Sequence, residues 1–299
     1  MARSTDRRRA THAGRIGATL AMAMAVALLA AACQPPAPWT KVKITGFAPV
    51  TTQKLNTLKA GQGPATVHPL TGAAHQVYGG DLIGTAFTGQ GWNHLGDPDS
   101  LNGYVVWPYQ AADAANGKMF NVVTPHGRQF RYTHALTPGE QYNNSFATIS
   151  PNGQWLVSGE WDTESRLLVF PMPILNAAVP TTATTLSLQT TIQLSKPLSQ
   201  VQGCDFVTST RLICSVDDSI KRLVAIDLPK PLDGLVMTGT VTQLGKLPTF
   251  SPKCKPSSAG GYEAEGIDYD PPTKVLRVEV IPPPPCYGQT DEYTYLKTS

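Results

Sequence analysis

The 299-residue sequence predicts an all-β fold built from repeated units. Three observations carry that reading. No stretch shows sustained 3.6-residue apolar periodicity, short alternating or β-branched runs recur between turn residues, and glycine and proline contribute 26 residues each, about 17% of the chain against roughly 12% in average usage. A content of 41% hydrophobic and 15% charged residues also excludes a disordered chain.

The first element is a leader. Arg3, Arg7, Arg8, Arg9 and Arg15 precede the uncharged run from Ile16 to Ala32, and this basic start, 17-residue apolar stretch and small-residue exit predict an export signal over residues 1–32. A permanent span needs roughly 20 apolar residues. Removing the leader leaves 19 basic against 20 acidic residues, so the formal charge of +3 belongs to the leader and nucleic acid is not an expected partner. The arginine triplet leaves the general and twin-arginine export routes both open. Leu29-Ala30-Ala31-Ala32-Cys33 resembles a bacterial lipobox, although its leucine stands one place earlier than that family prefers. The resemblance implies lipidation of Cys33 and a membrane anchor, with simple cleavage after the alanines as the alternative. Residues 33–38, rich in proline, read as a stiff tether, and residues 39–299 as a single domain.

Strands are expected at 41–47, 104–107, 154–158, 166–170, 211–216, 222–227 and 274–280, each an alternating or β-branched run bounded by Gly, Pro, Asn or Asp. The four cysteines beyond Cys33 form an even set, which in an exported chain predicts disulfides. Folding Cys204 to Cys214 as a hairpin around Thr208-Ser209-Thr210 places the two cysteines opposite each other and Phe206 opposite Leu212, so Cys204–Cys214 is expected and Cys254–Cys286 follows. A zinc site would need C-x-x-C pairs, which are absent.

Four segments stack without gaps: His94–Ser100, Asn144–Ser150, Gln202–Thr208 and Glu265–Pro271. Each starts with a polar side chain, reaches a turn and re-enters a strand, at spacings of 50, 58 and 63 residues. That period fits four-stranded propeller blades with long loops. The turn Ser150-Pro151-Asn152-Gly153 resembles the S-P-D-G turn of bacterial propeller repeats, and Glu265-Gly266-Ile267-Asp268-Tyr269-Asp270-Pro271 resembles a segment of phytase-like and gluconolactonase-like propellers. The resemblance implies a β-propeller of about five blades, with six as the alternative. The short last unit is expected to be completed by a strand from Trp39 to Phe47, so that N- and C-terminal strands close the ring.

Stacking puts His94, Asn144, Gln202 and Glu265 at equivalent inner-strand starts, converging on the axial mouth as candidate ligand-binding residues. The resemblance to calcium-dependent propellers implies a divalent cation held by Glu265 with Asn144. Asp97 and Asp99, in a segment shared with Trp92, read more simply as turn residues, and Trp161 between Glu160 and Asp162 as a half-buried strand tryptophan. G-x-S-x-G, H-E-x-x-H and phosphate-loop motifs are absent. The expected function is an exported, lipid-anchored binding or scaffold module for an extracytoplasmic ligand or envelope component. The alternative is a cation-dependent hydrolase of an ester, lactone or phosphoester, with His94 as general base.

Overall fold

The computed structural model describes residues 38–249, 253–254 and 261–298. The expected leader and Cys33 lie outside these residues. In chain order the strands are β1 (Phe47–Asn56), β2 (Gly63–Val67), β3 (His75–Gly79), β4 (Trp92–Leu95), β5 (Asp99–Leu101), β6 (Tyr104–Ala111), β7 (Lys118–Val123), β8 (Gln129–His134), β9 (Ala147–Ile149), β10 (Trp155–Ser158), β11 (Thr163–Pro171), β12 (Thr190–Ser199), β13 (Val201–Thr208), β14 (Arg211–Val216), β15 (Arg222–Asp227), β16 (Met237–Lys246), β17 (Glu263–Asp270), β18 (Val275–Ile281) and β19 (Gln289–Lys297). A single short α-helix, α1 (Thr85–Thr88), and 3₁₀ turns at Pro38–Lys41 and Ala114–Asn116 accompany them among the described residues.

The strands form antiparallel meanders arranged as a β-propeller. One sheet runs β4-β6-β7-β8 with β5 beside β6, and a second runs β17-β18-β19-β1. An eight-stranded sheet divides at the parallel pair β12–β16 into the meanders β9–β12 and β13–β16, and β2–β3 forms a hairpin of its own. The innermost strands β2, β5, β9, β13 and β17 each touch the next, and β17 returns to β2. The ring is therefore closed at its hub. Apolar clusters fill the space between neighbouring sheets, one joining Phe146, Val169, Phe206 and Val224, another joining Phe120, Leu156 and Phe170. The inner strands β2, β9, β13 and β17 are accordingly buried along nearly their whole length, as strands with inward residues on both faces require.

The ring closes by the expected device but not with the expected residues. The N-terminal strand pairs with β19 from Phe47↔Lys297 to Asn56↔Gln289, whereas residues 38–41 form a 3₁₀ turn. The alternation of Lys41 to Phe47 reflects Ile44 buried in the core, like Trp39 before it, with a turn through Gly46 at φ 82° before the strand starts. The actual closing strand is polar and mostly exposed, as an outer edge permits. Both disulfides pair as expected: Cys204 faces Cys214 and Phe206 faces Leu212 across β13–β14, and Cys254 joins Cys286.

Candidate functional site

The hub is built in tiers, because every inner strand runs from one mouth of the axis to the other. Halfway along, the side chains of Asp99, Asp205 and Asp268 bind the next strand rather than turning the chain. Asp99 Oδ2 accepts from the backbone N–H of Ile149 at 2.6 Å, Asp205 Oδ2 from that of Tyr269 at 2.5 Å, and Asp268 Oδ1 from that of Thr66 at 2.9 Å. Thr148 Oγ1 donates to Asp99 at 3.0 Å and lies 3.3 Å from Asp205. Short inner strands that cannot form full ladders with each other are thereby tied through carboxylates. Burial, with the charges of the neighbouring aspartates, pushes Asp99 up to about 7 and Asp205 well above the usual carboxylate range. Burial also raises Asp268, although Thr66 and Arg277 resist the change.

Asp97 fills the axis beside this tier. It is 1% exposed, its Oδ2 accepts from the Ile267 N–H at 3.1 Å, and its Oδ1 has no partner among the described residues. Gly63, Gly203 and Gly266 converge on its carboxyl group so closely that a Cβ on any of them would collide with it. Burial first, then Glu279, Asp205 and Asp99, keep this carboxyl protonated well above the usual range. The reading of Asp97 and Asp99 as turn residues is therefore corrected: both are hub residues, and no helical or strand periodicity distinguishes that role from a turn.

At the strand starts a cavity of about 330 Å³ is lined by His94, Gln202 and Glu265 together with Gln62, Gln110, Asn143, Ser145 and Trp161. Three of the four sequence-derived candidates come together there. Asn144 does not. It is fully buried, its Nδ2 donates to the carbonyls of Tyr109 (3.3 Å) and Met119 (3.2 Å), and its Oδ1 accepts from Ser158 at 2.6 Å. The hub hydrogen bonds explain why. Thr148 stands level with Asp205 and Asp268, so Ser145 is the counterpart of Gln202 and Glu265, and the ungapped stack is one residue out of register at this segment. A one-residue slip in extended chain turns a side chain to the opposite face. By the same count Gly96 is the counterpart at the first segment, and His94, two residues earlier, keeps the correct face.

The chemistry of this mouth is acceptor-rich. Gln110 Oε1, Asn143 Oδ1 and Ser145 Oγ are buried without a protein partner among the described residues, against the usual satisfaction of buried polar atoms. Ser145 itself is 4% exposed. Glu265 is 3% exposed, and burial followed by the charges of Glu263, Asp217, Glu279 and Asp81 raises its carboxyl well above the ordinary range. Burial lowers His94 from its usual value despite Asp81, so its imidazole is neutral at neutral pH. The pair expected to hold a cation is separated, since Asn144 is spent elsewhere, and among the described residues no group of three or more His, Cys, Asp or Glu is placed to hold a metal ion. Sequence reasoning missed Gln110 and Asn143. Gln110 sits on β6, outside every repeated segment, and Asn143 falls one residue before a stacked one.

A second cavity of about 330 Å³ opens at the strand ends, lined by His68, Asp99, Asp205, Asp268, Asp270 and Phe206 among others. There His68 Nε2 lies 2.7 Å from Asp270 Oδ1.

No family profile matches the sequence, and no curated protein matches it. Among solved structures the chain is similar to native Bacillus subtilis arabinanase Arb43A, with a TM-score of 0.38 at 9% identity over 86% of this chain and 95% of that one. It is also similar to the RRP9 WD40 repeats (TM-score 0.34, 8% identity, 74% of this chain and 57% of that one). A third is the β-propeller domain of Myceliophteria thermophila Cps50, at TM-score 0.29 and 12% identity over 59% of this chain and 48% of that one. The chain spans about half the length of these last two structures. At these identities the likeness is one of fold.

Proposed function

We propose that the protein is an exported β-propeller, held at a membrane face through lipidated Cys33, that binds a small polar extracytoplasmic ligand in the axial mouth formed by the inner-strand starts. The observation that carries the binding reading is the cavity where His94, Gln202 and Glu265 meet and where three buried side-chain oxygens lack protein partners. Burying such groups unpaired costs roughly 1–3 kcal/mol each, which a site recovers when a ligand or ordered water completes them. Export is supported by the arginine-led apolar run and by two disulfides, which persist in oxidising compartments. Lipidation rests on the lipobox-like segment ending at Cys33.

Two measurements test this. Expressed with its leader, the protein should fractionate with membranes and take up labelled fatty acid, and Cys33→Ser should abolish the label; a soluble, unlabelled wild type defeats the anchor. For the mouth, a panel of small polar compounds screened by thermal shift should yield stabilising ligands whose effect is lost in Trp161→Ala. Hits indifferent to that change would place binding elsewhere. The cation-dependent hydrolase remains the alternative reading, resting on Glu265 and His94 alone once Asn144 is withdrawn. Calcium chloride titration addresses it: heat and a thermal shift that vanish in Glu265→Gln would favour it.

A further inference from the structure

Resting on the axial-mouth reading, the arrangement of charges and hydrogen-bonding groups narrows the ligand. All three orphaned buried atoms, Gln110 Oε1, Asn143 Oδ1 and Ser145 Oγ, can accept a hydrogen bond, and the first two can do nothing else. Two carboxyl groups, Glu263 and Glu265, line the same cavity. Among the described residues no side-chain cation lines the cavity to answer them. The nearby Lys221 is bound to Asp217 at 2.6 Å, and His94 is held neutral by its surroundings. Trp161 supplies an aromatic wall, on whose face a cation is attracted by the ring quadrupole. A ligand completing this site has to bring several donors, positive charge and a size compatible with about 330 Å³.

From the cavity, its unpaired acceptors and its uncompensated carboxyl groups, we infer that this mouth binds an organic cation, a compound carrying a primary ammonium or guanidinium group. Such a group offers three to five N–H donors from one centre, which suits a lining whose unpartnered atoms are acceptors. A bare metal ion is served less well, because the carbonyl and hydroxyl oxygens belong to uncharged groups and the carboxylates come from one strand only. A neutral polyol would satisfy the acceptors too, but would draw nothing from the charge that Glu265 acquires on ionising. Binding the cation favours the ionised form of Glu265, so association should release a proton.

The test is calorimetric titration of the purified protein with agmatine, with D-glucose and calcium chloride as comparisons. Agmatine should bind saturably, with a heat that varies with the ionisation enthalpy of the buffer as a proton is released. Glu265→Gln should weaken it by about tenfold or more and abolish the buffer dependence, the loss expected when one partner of a desolvated charged pair is removed. Trp161→Ala, which leaves the carboxyl group in place, should weaken agmatine while keeping the buffer dependence. Glucose binding as tightly as agmatine, lost in Trp161→Ala, would overturn the cation inference and leave the mouth as a ligand site. Calcium binding sensitive to Glu265→Gln, without agmatine binding, overturns it in favour of a metal. Agmatine binding indifferent to both substitutions defeats this inference and the axial-mouth reading together, and absence of agmatine heat at millimolar concentration defeats the inference alone.

Discussion

Asp97 and the glycines around it show how one side chain governs a hub. Gly203 and Gly266 occupy corresponding places on β13 and β17, and neither needs a positive φ; a Cβ on either would run first into the Asp97 carboxyl group and then into the Cα of a neighbouring glycine, Gly266 for Gly203 and Gly63 for Gly266. Gly203→Ala should therefore lower the unfolding free energy by about 2 kcal/mol, the range for overpacking a rigid interior. The same change in an Asp97→Ala background should cost markedly less, and urea denaturation of the four proteins of that cycle would show it. Simple additivity would mean that Asp97 is not the obstacle. At this scale the sequence was only partly legible. The polar residues at the mouth were visible as the first letters of repeated segments, but Asn144 and Ser145 are neighbours, both polar and both small. Only the hydrogen bonds of Thr148 distinguish which of them faces the axis.

Elements were legible where each face of a strand alternates cleanly. β14 and β15 occupy the expected spans, and the β13–β14 register follows from pairing cysteine with cysteine and Phe206 with Leu212. β1, β12 and β16 were not foreseen, because outer strands rich in threonine, glutamine and lysine carry little apolar signal on their solvent side. Buried polar contacts between sheets escaped. Lys118 on β7 is fully buried, donating to the Gly159 carbonyl at 2.9 Å beyond β10 and lying 3.4 Å from Glu140. Burial lowers its ammonium group, with Glu140, Glu160 and Glu164 opposing the shift. Burial raises Glu140, but hydrogen bonds from His134 and Thr137 and the charge of Lys118 outweigh this and hold it at about 2. Lys118→Ala strips a buried ion of its partner and should cost about 3 kcal/mol in denaturant unfolding. A loss below about 1 kcal/mol would mean that water already reaches Glu140.

Over the whole molecule the dominant electrostatic fact is a set of carboxyl groups kept neutral by burial. Asp97, Asp205, Glu164, Glu265 and Glu279 are all displaced well above their usual values, and Asp99 to about 7. In the unfolded chain these groups lose their protons near pH 4, so between that value and their folded values the unfolded state binds fewer protons and stability falls as pH rises. Glu140 acts oppositely, withdrawing its contribution as pH falls below about 4, and His94, lowered in the fold, penalises the native state below its unfolded value. The melting temperature should accordingly be highest near pH 5 and lower by on the order of 5 °C at pH 8. A flat or rising profile over that interval would show that the hub carboxylates are ionised and hydrated. The closed wheel itself was legible from repeat spacing and turn chemistry. Its neutral interior was not, since aspartates in Asp-Pro and Asp-Tyr contexts look like ordinary surface turns until the strands are brought around the axis.

The plugged axis also separates traffic on the two sides of the wheel. With the Asp97 carboxyl group wedged among three glycines, the openings at the strand starts and strand ends are blind vestibules, not the two ends of a tunnel. A compound entering one would not thread through to the other, and would have to leave by the same door.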